Sequence, residues 1–169
     1  MPTTQTSATP AVSRVDIVRE SPELVTKLRD LGFAVRKGAI EQTILDLVTI
    51  RASQINGCAF CLDMHVKEAK LHGERELRVY HLPVWRESNL FTPRERAALE
   101  WTEVLTKLPE HGVTDEIYHA VRRELSEKEI SDLTFAITTI NAFNRISIGF
   151  RAVPGSADAA FGLDKAGVI

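Results

Sequence analysis

Ala39-Ile40-Glu41-Gln42-Thr43-Ile44-Leu45-Asp46-Leu47-Val48-Thr49-Ile50-Arg51-Ala52-Ser53-Gln54-Ile55 is the most apolar stretch of the chain, and its period decides the fold class. Ile40, Ile44, Leu47, Val48 and Ile55 recur at the spacing of one face of an α-helix. Leu45, Ile50 and Ala52 widen that stripe and leave Gln42, Asp46, Thr49 and Ser53 on a narrow polar strip. A helix apolar over most of its circumference belongs at the centre of a domain. Arg51 falls inside the stripe and therefore requires a carboxylate or carbonyl partner. By period alone Asp46 reads as a solvated carboxylate. The competing reading is a carboxylate that faces the residues just downstream, orienting a water or relaying a proton. Arg51, Ser53 and Gln54 are further candidates for supporting or interface roles.

Asn56-Gly57 ends this helix, and Gly57-Cys58-Ala59-Phe60-Cys61-Leu62-Asp63-Met64-His65 follows. It holds the only two cysteines of 169 residues, three positions apart, with a histidine four residues after the second. A new helix starts at or near Cys58 and runs to Leu71, with Gly73 beyond its end. A Cys-x-x-Cys at a helix start brings both sulfurs within one turn. There the positive end of the helix favours thiolate, the nucleophile toward peroxides and disulfides. His65 shares a helical face with Cys61, and an imidazole can take a thiol proton and return it to a leaving group. Cys58 is two turns from His65, so spacing makes Cys61 the attacking sulfur and Cys58 the resolving one. A resolving thiol converts a sulfenic acid to a disulfide before it over-oxidises. Two other readings stand beside this one: packed, inert thiols, and a zinc site on Cys58, Cys61 and His65. Zinc would need a fourth ligand from His72 or Asp46. There is no second Cys-x-x-Cys or histidine pair to supply it.

The rest of the chain also reads as helix. Ser21-Pro22-Glu23 and Thr92-Pro93-Arg94-Glu95 are start signals, and Ser126-Glu127-Lys128-Glu129 is a capping box. Leu24, Leu28, Leu31 and Val35 keep helical spacing to Gly38, as do Ala97, Trp101, Val104, Leu105 and Leu108 to Pro109. A short helix spans Thr114 to Val121, a long one starts at Ser126, and Glu74 to His81 adds a turn or two. No segment alternates like a strand with hairpin turns, which disfavours a thioredoxin-like fold. The expectation is an all-α fold of six or seven helices. Residues 1–14 are expected to form a poorly ordered leader, 15–152 one domain and 153–169 a C-terminal tail. Trp85, Phe91 and Trp101 read as core or subunit-contact aromatics; His72, His81, His111 and His119 read as surface residues.

Composition narrows the function. Hydrophobic residues make up 44% and charged residues 26%, with a formal net charge of −2. This offers no basic excess for nucleic acid and no cationic run for a membrane surface. No apolar run approaches the length of a membrane span, and the N-terminus lacks the pattern of a secretory signal. A cytoplasmic setting, where thiols stay reduced, is the expectation.

The stretch Leu45 to His65 resembles the core of the AhpD-like alkylhydroperoxidases, in the carboxymuconolactone decarboxylase superfamily. Lys67-Glu68-Ala69, Trp85-Arg86-Glu87, Thr92 to Leu99 and Ile140 to Arg145 extend the similarity, which covers roughly residues 20–152. The resemblance implies an all-α fold assembling as trimers or hexamers, and a peroxidase cycle in antioxidant defence with no bound cofactor. In that cycle Cys61 is oxidised to sulfenic acid by hydrogen peroxide or an organic hydroperoxide, and Cys58 condenses with it. An external dithiol of lipoyl, thioredoxin or small-thiol type then restores both. His65 serves the proton relay. Two positions depart from the family pattern. The usual glutamate twelve residues before the first cysteine is Asp46, one methylene shorter, and the histidine often found between the cysteines is Phe60. The relay would then rest on Asp46 and His65. Decarboxylases proper generally lack the cysteine pair, so its presence argues against decarboxylation.

Overall fold

The helix starts lie where side-chain oxygens can cap them. In a computed structural model that describes residues 12–167, Thr92 and Ser126 each form a complete capping box with Glu95 and Glu129, and Thr114 caps a third helix. Nine α-helices result among the described residues: α1 (Ile17–Glu20), α2 (Pro22–Arg36), α3 (Gln42–Asn56), α4 (Ala59–Leu71), α5 (Glu76–His81), α6 (Pro93–Lys107), α7 (Asp115–Arg122), α8 (Glu127–Phe150) and α9 (Asp158–Phe161). Seven of them, α2 to α8, have six or more residues; α1 and α9 are single turns. Tight 3-10 turns occupy Leu82–Val84 and Leu163–Ala166, and no strand occurs among the described residues. None of these helices is long and apolar enough to cross a membrane.

The apolar α3 is the hub, packed against α4, α6 and α8. One of its faces joins Ile44, Leu45 and Val48 to Trp101, Leu133 and Ile137. Another joins Leu47 and Ile50 to Leu82, Trp85, Phe91 and Leu99. Each such aliphatic side chain, removed from water, contributes about 1.5–3 kcal/mol. Trp85, Phe91 and Trp101 therefore belong to the interior.

Arg51 finds its partner in α6. Its Nε donates to Glu103 Oε1 at 2.8 Å; Trp85 Nε1 donates to the same oxygen at 2.8 Å, and Arg86 to Oε2 at 2.8 Å. One buried carboxylate thus ties α3, α6 and the connector between α5 and α6.

Gly38 lies just past the end of α2, which closes at Arg36 with Lys37 as its C-cap. A Cβ on Gly38 would lie 2.6 Å from Asp132 Oδ2, the oxygen that accepts the Ala39 N–H at 2.7 Å.

Both end segments, 1–14 and 153–169, extend beyond the described residues. Most of the leader, residues 1–11, lies outside the described residues; Ser13 and Arg14 are bonded to the end of α8 through Phe150 O and Gly149 O. The segment past Pro154, expected as a tail, folds back on α4. Leu163 and Ala166 are buried, and Lys67 Nζ lies 2.7 Å from Asp158 and 2.9 Å from Asp63. Its helices are four residues each, too short for a 3.6-residue period to register, and glycines at positive φ, Gly162 and Gly167, end them.

Glu103 yields a stability prediction. Burial pushes its carboxyl up, but donors from Arg86, Trp85 and Arg51 outweigh burial and hold it at about 2, below its ordinary 4.5. Its stabilisation is therefore complete above about pH 4.5 and is lost as pH falls toward 2. Glu103→Ala, which strands the Arg51 guanidinium, should lower unfolding free energy by about 3–5 kcal/mol in urea denaturation at neutral pH. The difference from wild type should shrink through that acid window.

Candidate active site

The junction of α3 and α4 builds the thiol pair. Gly57 closes α3 in the left-handed conformation (φ 67°), a backbone state that glycine adopts at little cost. The chain then turns so that Cys58 N–H bonds Ser53 O at 3.0 Å and Cys58 becomes the N-cap of α4. Its sulfur accepts the Cys61 N–H at 3.4 Å, the position usually filled by a serine, threonine or aspartate oxygen. Both cysteines are free thiols and buried, in a small apolar cluster with Ala52 and Ile140.

Asn144 of α8, fully buried, stands beside them. It donates to Ser53 Oγ at 3.1 Å and accepts from Asn56 at 2.8 Å. Ser147 Oγ lies 3.6 Å from Cys61 Sγ.

The two thiols are shifted in opposite directions. The Cys61 S–H donating to Cys58 lowers Cys58 most; burial opposes this, and backbone N–H groups of Cys61 and Phe60 with the Asn144 side chain add to the lowering, giving about 7. Cys61 is pushed up by that same donation, by burial and by the Cys58 charge. Thiolate character thus sits on Cys58 in the reduced protein, whereas spacing alone favoured Cys61.

His65 is buried on α4, one turn past Cys61, but its bonded carboxylate is not Asp46. Its Nδ1 lies 2.7 Å from Glu68 Oε2, and Arg36 of α2 donates to Glu68 at 2.9 Å. Burial would raise the Glu68 carboxyl, yet His65 and Arg36 hold it at about 2. A permanent carboxylate can only accept, so Nδ1 carries the hydrogen and Nε2 is left to take a proton. Sequence context alone gives Glu68 no role. The available signal was its spacing of three from His65 on the same face.

Asp46 is buried, not on a solvated strip. Gln42 Nε2 donates to one oxygen at 2.8 Å, and His72 Nδ1 lies 2.9 Å from the other. His72 is exposed, as its charged surroundings suggest, and yet it bonds a buried acid. Burial raises the Asp46 carboxyl, against the pull of Gln42 and His72, and the nearby Glu68 charge raises it further. Asp46 and His65 are not bonded to each other, but both line a cavity of about 80 Å³ walled by Val35, Leu45, Ile140 and Phe143. Ser53 Oγ accepts from Asn144, and Gln54 Oε1 accepts from Arg51. Among the described residues no group of three or more His, Cys, Asp or Glu side chains is arranged to hold a metal ion.

Residues 22–104 match the model of the carboxymuconolactone decarboxylase family. The uncharacterized protein YdfG of Bacillus subtilis (strain 168) is 42% identical over 135 residues, covering 80% of this chain and 92% of YdfG. A crystal structure of ATU0492 from Agrobacterium tumefaciens, of unknown function but proposed in name to be the antioxidant defence protein AhpD, is 40% identical. It superposes with a TM-score of 0.81 over 85% of this chain and 98% of its own. An uncharacterized peroxidase-related protein from Ralstonia eutropha JMP134, with an alkylhydroperoxidase AhpD core, shares the fold: TM-score 0.73, 17% identity, 82% of this chain and 74% of its own.

Alkylation of the reduced protein by iodoacetamide across pH, mapped by mass, should show Cys58 titrating at about 7 while Cys61 stays unreactive. Cys61→Ala should move the Cys58 midpoint upward, because its strongest hydrogen-bond donor is gone. Equal reactivity of both thiols at neutral pH would contradict this division.

Proposed function

The chain belongs to the carboxymuconolactone decarboxylase family, and we propose that it is an AhpD-like thiol peroxidase that reduces hydrogen peroxide or a small organic hydroperoxide in antioxidant defence. The observation that carries this reading is the Glu68-oriented His65, one helical turn from Cys61 and open to an apolar cavity. His65 Nε2 takes the Cys61 thiol proton. The thiolate attacks the distal peroxide oxygen, the O–O bond breaks, and the leaving alkoxide or hydroxide recovers that proton from His65. Cys61 becomes a sulfenic acid. The Cys58 thiolate attacks its sulfur, forming the disulfide and releasing hydroxide, which one further proton converts to water. An external dithiol of lipoyl, thioredoxin or small-thiol type then reduces the disulfide by exchange and is itself oxidised to a disulfide.

The apolar walls of the cavity, with Arg36 and His65 as its cationic or proton-bearing members, suit a small hydroperoxide better than a bulky one. A trimer or hexamer acting in the cytoplasm completes the proposal.

A second reading exchanges the two sulfurs. It is favoured by the N-cap position of Cys58, which stabilises its thiolate. One experiment separates the two. With a dithiol reductant and peroxide, Cys61→Ser should abolish steady-state consumption and form no sulfenic acid. Cys58→Ser should consume one equivalent and stop with a trappable sulfenic acid on Cys61. A sulfenic acid trapped on Cys58 in the Cys61→Ser protein would instead establish the exchanged roles. His65→Asn should slow the first oxidation by about 10²–10⁴-fold, the range for a lost acid–base group.

A further inference from the structure

Proton balance exposes a requirement that Cys58, Cys61 and His65 do not meet by themselves. Closing the disulfide follows Cys58–S⁻ + Cys61–SOH + H⁺ → Cys58–S–S–Cys61 + H₂O. Cys58 caps α4 as an acceptor, and in the thiolate form that its lowered pKa of about 7 favours above neutrality it brings no proton of its own. The first proton has already left with the alcohol or water. The second must enter a buried site from outside.

The structure offers a path. Asp46, whose side chain is only 5% exposed, is a shared wall of two cavities. On one side is the cavity of about 80 Å³ that holds His65, large enough to admit water. On the other is a polar pocket of about 330 Å³ lined by Gln42, Thr43, His72, Glu74, Arg75, Arg78 and Glu95. His72, with its side chain 37% exposed, bridges the buried carboxylate and this pocket. It is the C-cap of α4, its N–H bonded to Glu68 O at 2.9 Å, so His65, Glu68 and His72 ride on one rigid helix.

We propose that Asp46 and His72 form the proton port of this site, passing to the His65 cavity the proton that disulfide closure consumes. The inference rests on the peroxidase reading above. His72 in its protonated form gives a proton to Asp46 Oδ2. The carboxyl releases one toward the His65 cavity, and His72 recovers its own from the polar pocket. His72 acts through Asp46 and is a positioning and proton-carrying residue, not one that touches substrate.

The charged groups around His72 leave it this freedom. Arg78 is committed to Glu74 at 2.9 Å and to Glu95 at 2.6 Å, and Glu68 is held by His65 and Arg36. Arg75 is exposed. Asp46 is the carboxylate bonded to the His72 ring, and burial keeps it readier to accept a proton than an ordinary aspartate.

The test is His72→Gln, which retains a hydrogen-bond donor toward Asp46 but cannot carry charge. Stopped-flow with one equivalent of peroxide separates sulfenic acid formation from disulfide closure. The variant should form the sulfenic acid at the wild-type rate and close the disulfide about tenfold more slowly at neutral pH, less than the ~10²-fold of a direct acid–base group. Added imidazole should restore the rate in proportion to its concentration, and the pH profile of closure should shift toward acid. Closure at the wild-type rate, or a loss that neither imidazole nor acid relieves, would overturn the port; the latter marks a structural role. Wild-type protein inert to peroxide would overturn the peroxidase reading alone. The same comparison would then be made on reduction of the Cys58–Cys61 disulfide by dithiothreitol, where protons must also cross.

Discussion

A sulfur atom serves as the N-cap of α4, and much of the site depends on that substitution. A hydroxyl or carboxylate oxygen in that place would satisfy the same backbone donor and have no redox chemistry. Cys58 does both. The turn that places it requires Gly57 in the left-handed region and the Ser53 carbonyl as acceptor, so the end of one helix and the start of the next are a single structural unit. Asn144 secures that unit from α8 by holding Ser53 and Asn56 together. The thiol pair is thus fixed by three helices, and the acidity of Cys58 is set first by the Cys61 side chain beside it.

The central helix carries two charged side chains into the interior, and each is handled differently. Arg51 meets Glu103, which also accepts from Trp85 and Arg86, so the pair is saturated with hydrogen bonds and serves architecture. Asp46 meets only the neutral Gln42 and a histidine that reaches solvent. A buried charge with a full set of partners resists titration; one with a titratable partner remains exchangeable. The same helix therefore holds a fixed charge on one side and a labile one on the other.

The sequence made the helical elements legible because their signals are local. Ser/Thr with a glutamate three residues later set two helix starts, and the period of Ile44, Leu47 and Val48 marked the hub. The requirement for an Arg51 partner was also legible, though its identity was not, since Glu103 lies fifty-two residues away. What the sequence hid was burial created by packing. Asp46 lies on the polar strip of α3, but α2 and α4 flank that strip, so polarity there signals a site and not solvent. His72 stands among charged neighbours and reads as exposed, yet it is the outer partner of a buried acid. Glu68 was within reach of a helical-spacing argument, since it follows His65 by three residues and bonds its Nδ1.

Two carboxylates near one imidazole would be redundant if they behaved alike, and they do not. Glu68 is held at about 2 by His65 and Arg36 and stays charged through any physiological pH, which suits it to fix the imidazole tautomer and nothing else. Asp46, raised by burial, is the one able to change its protonation state. Environments that push two acids apart in this way assign them different work. Orientation belongs to the acid on the histidine's own helix, where distance cannot vary. Exchange belongs to the acid on the neighbouring helix, where a second histidine connects it to water. The shorter side chain of aspartate is consistent with this division: the residue faces His72 and the cavity, and is not required to reach His65.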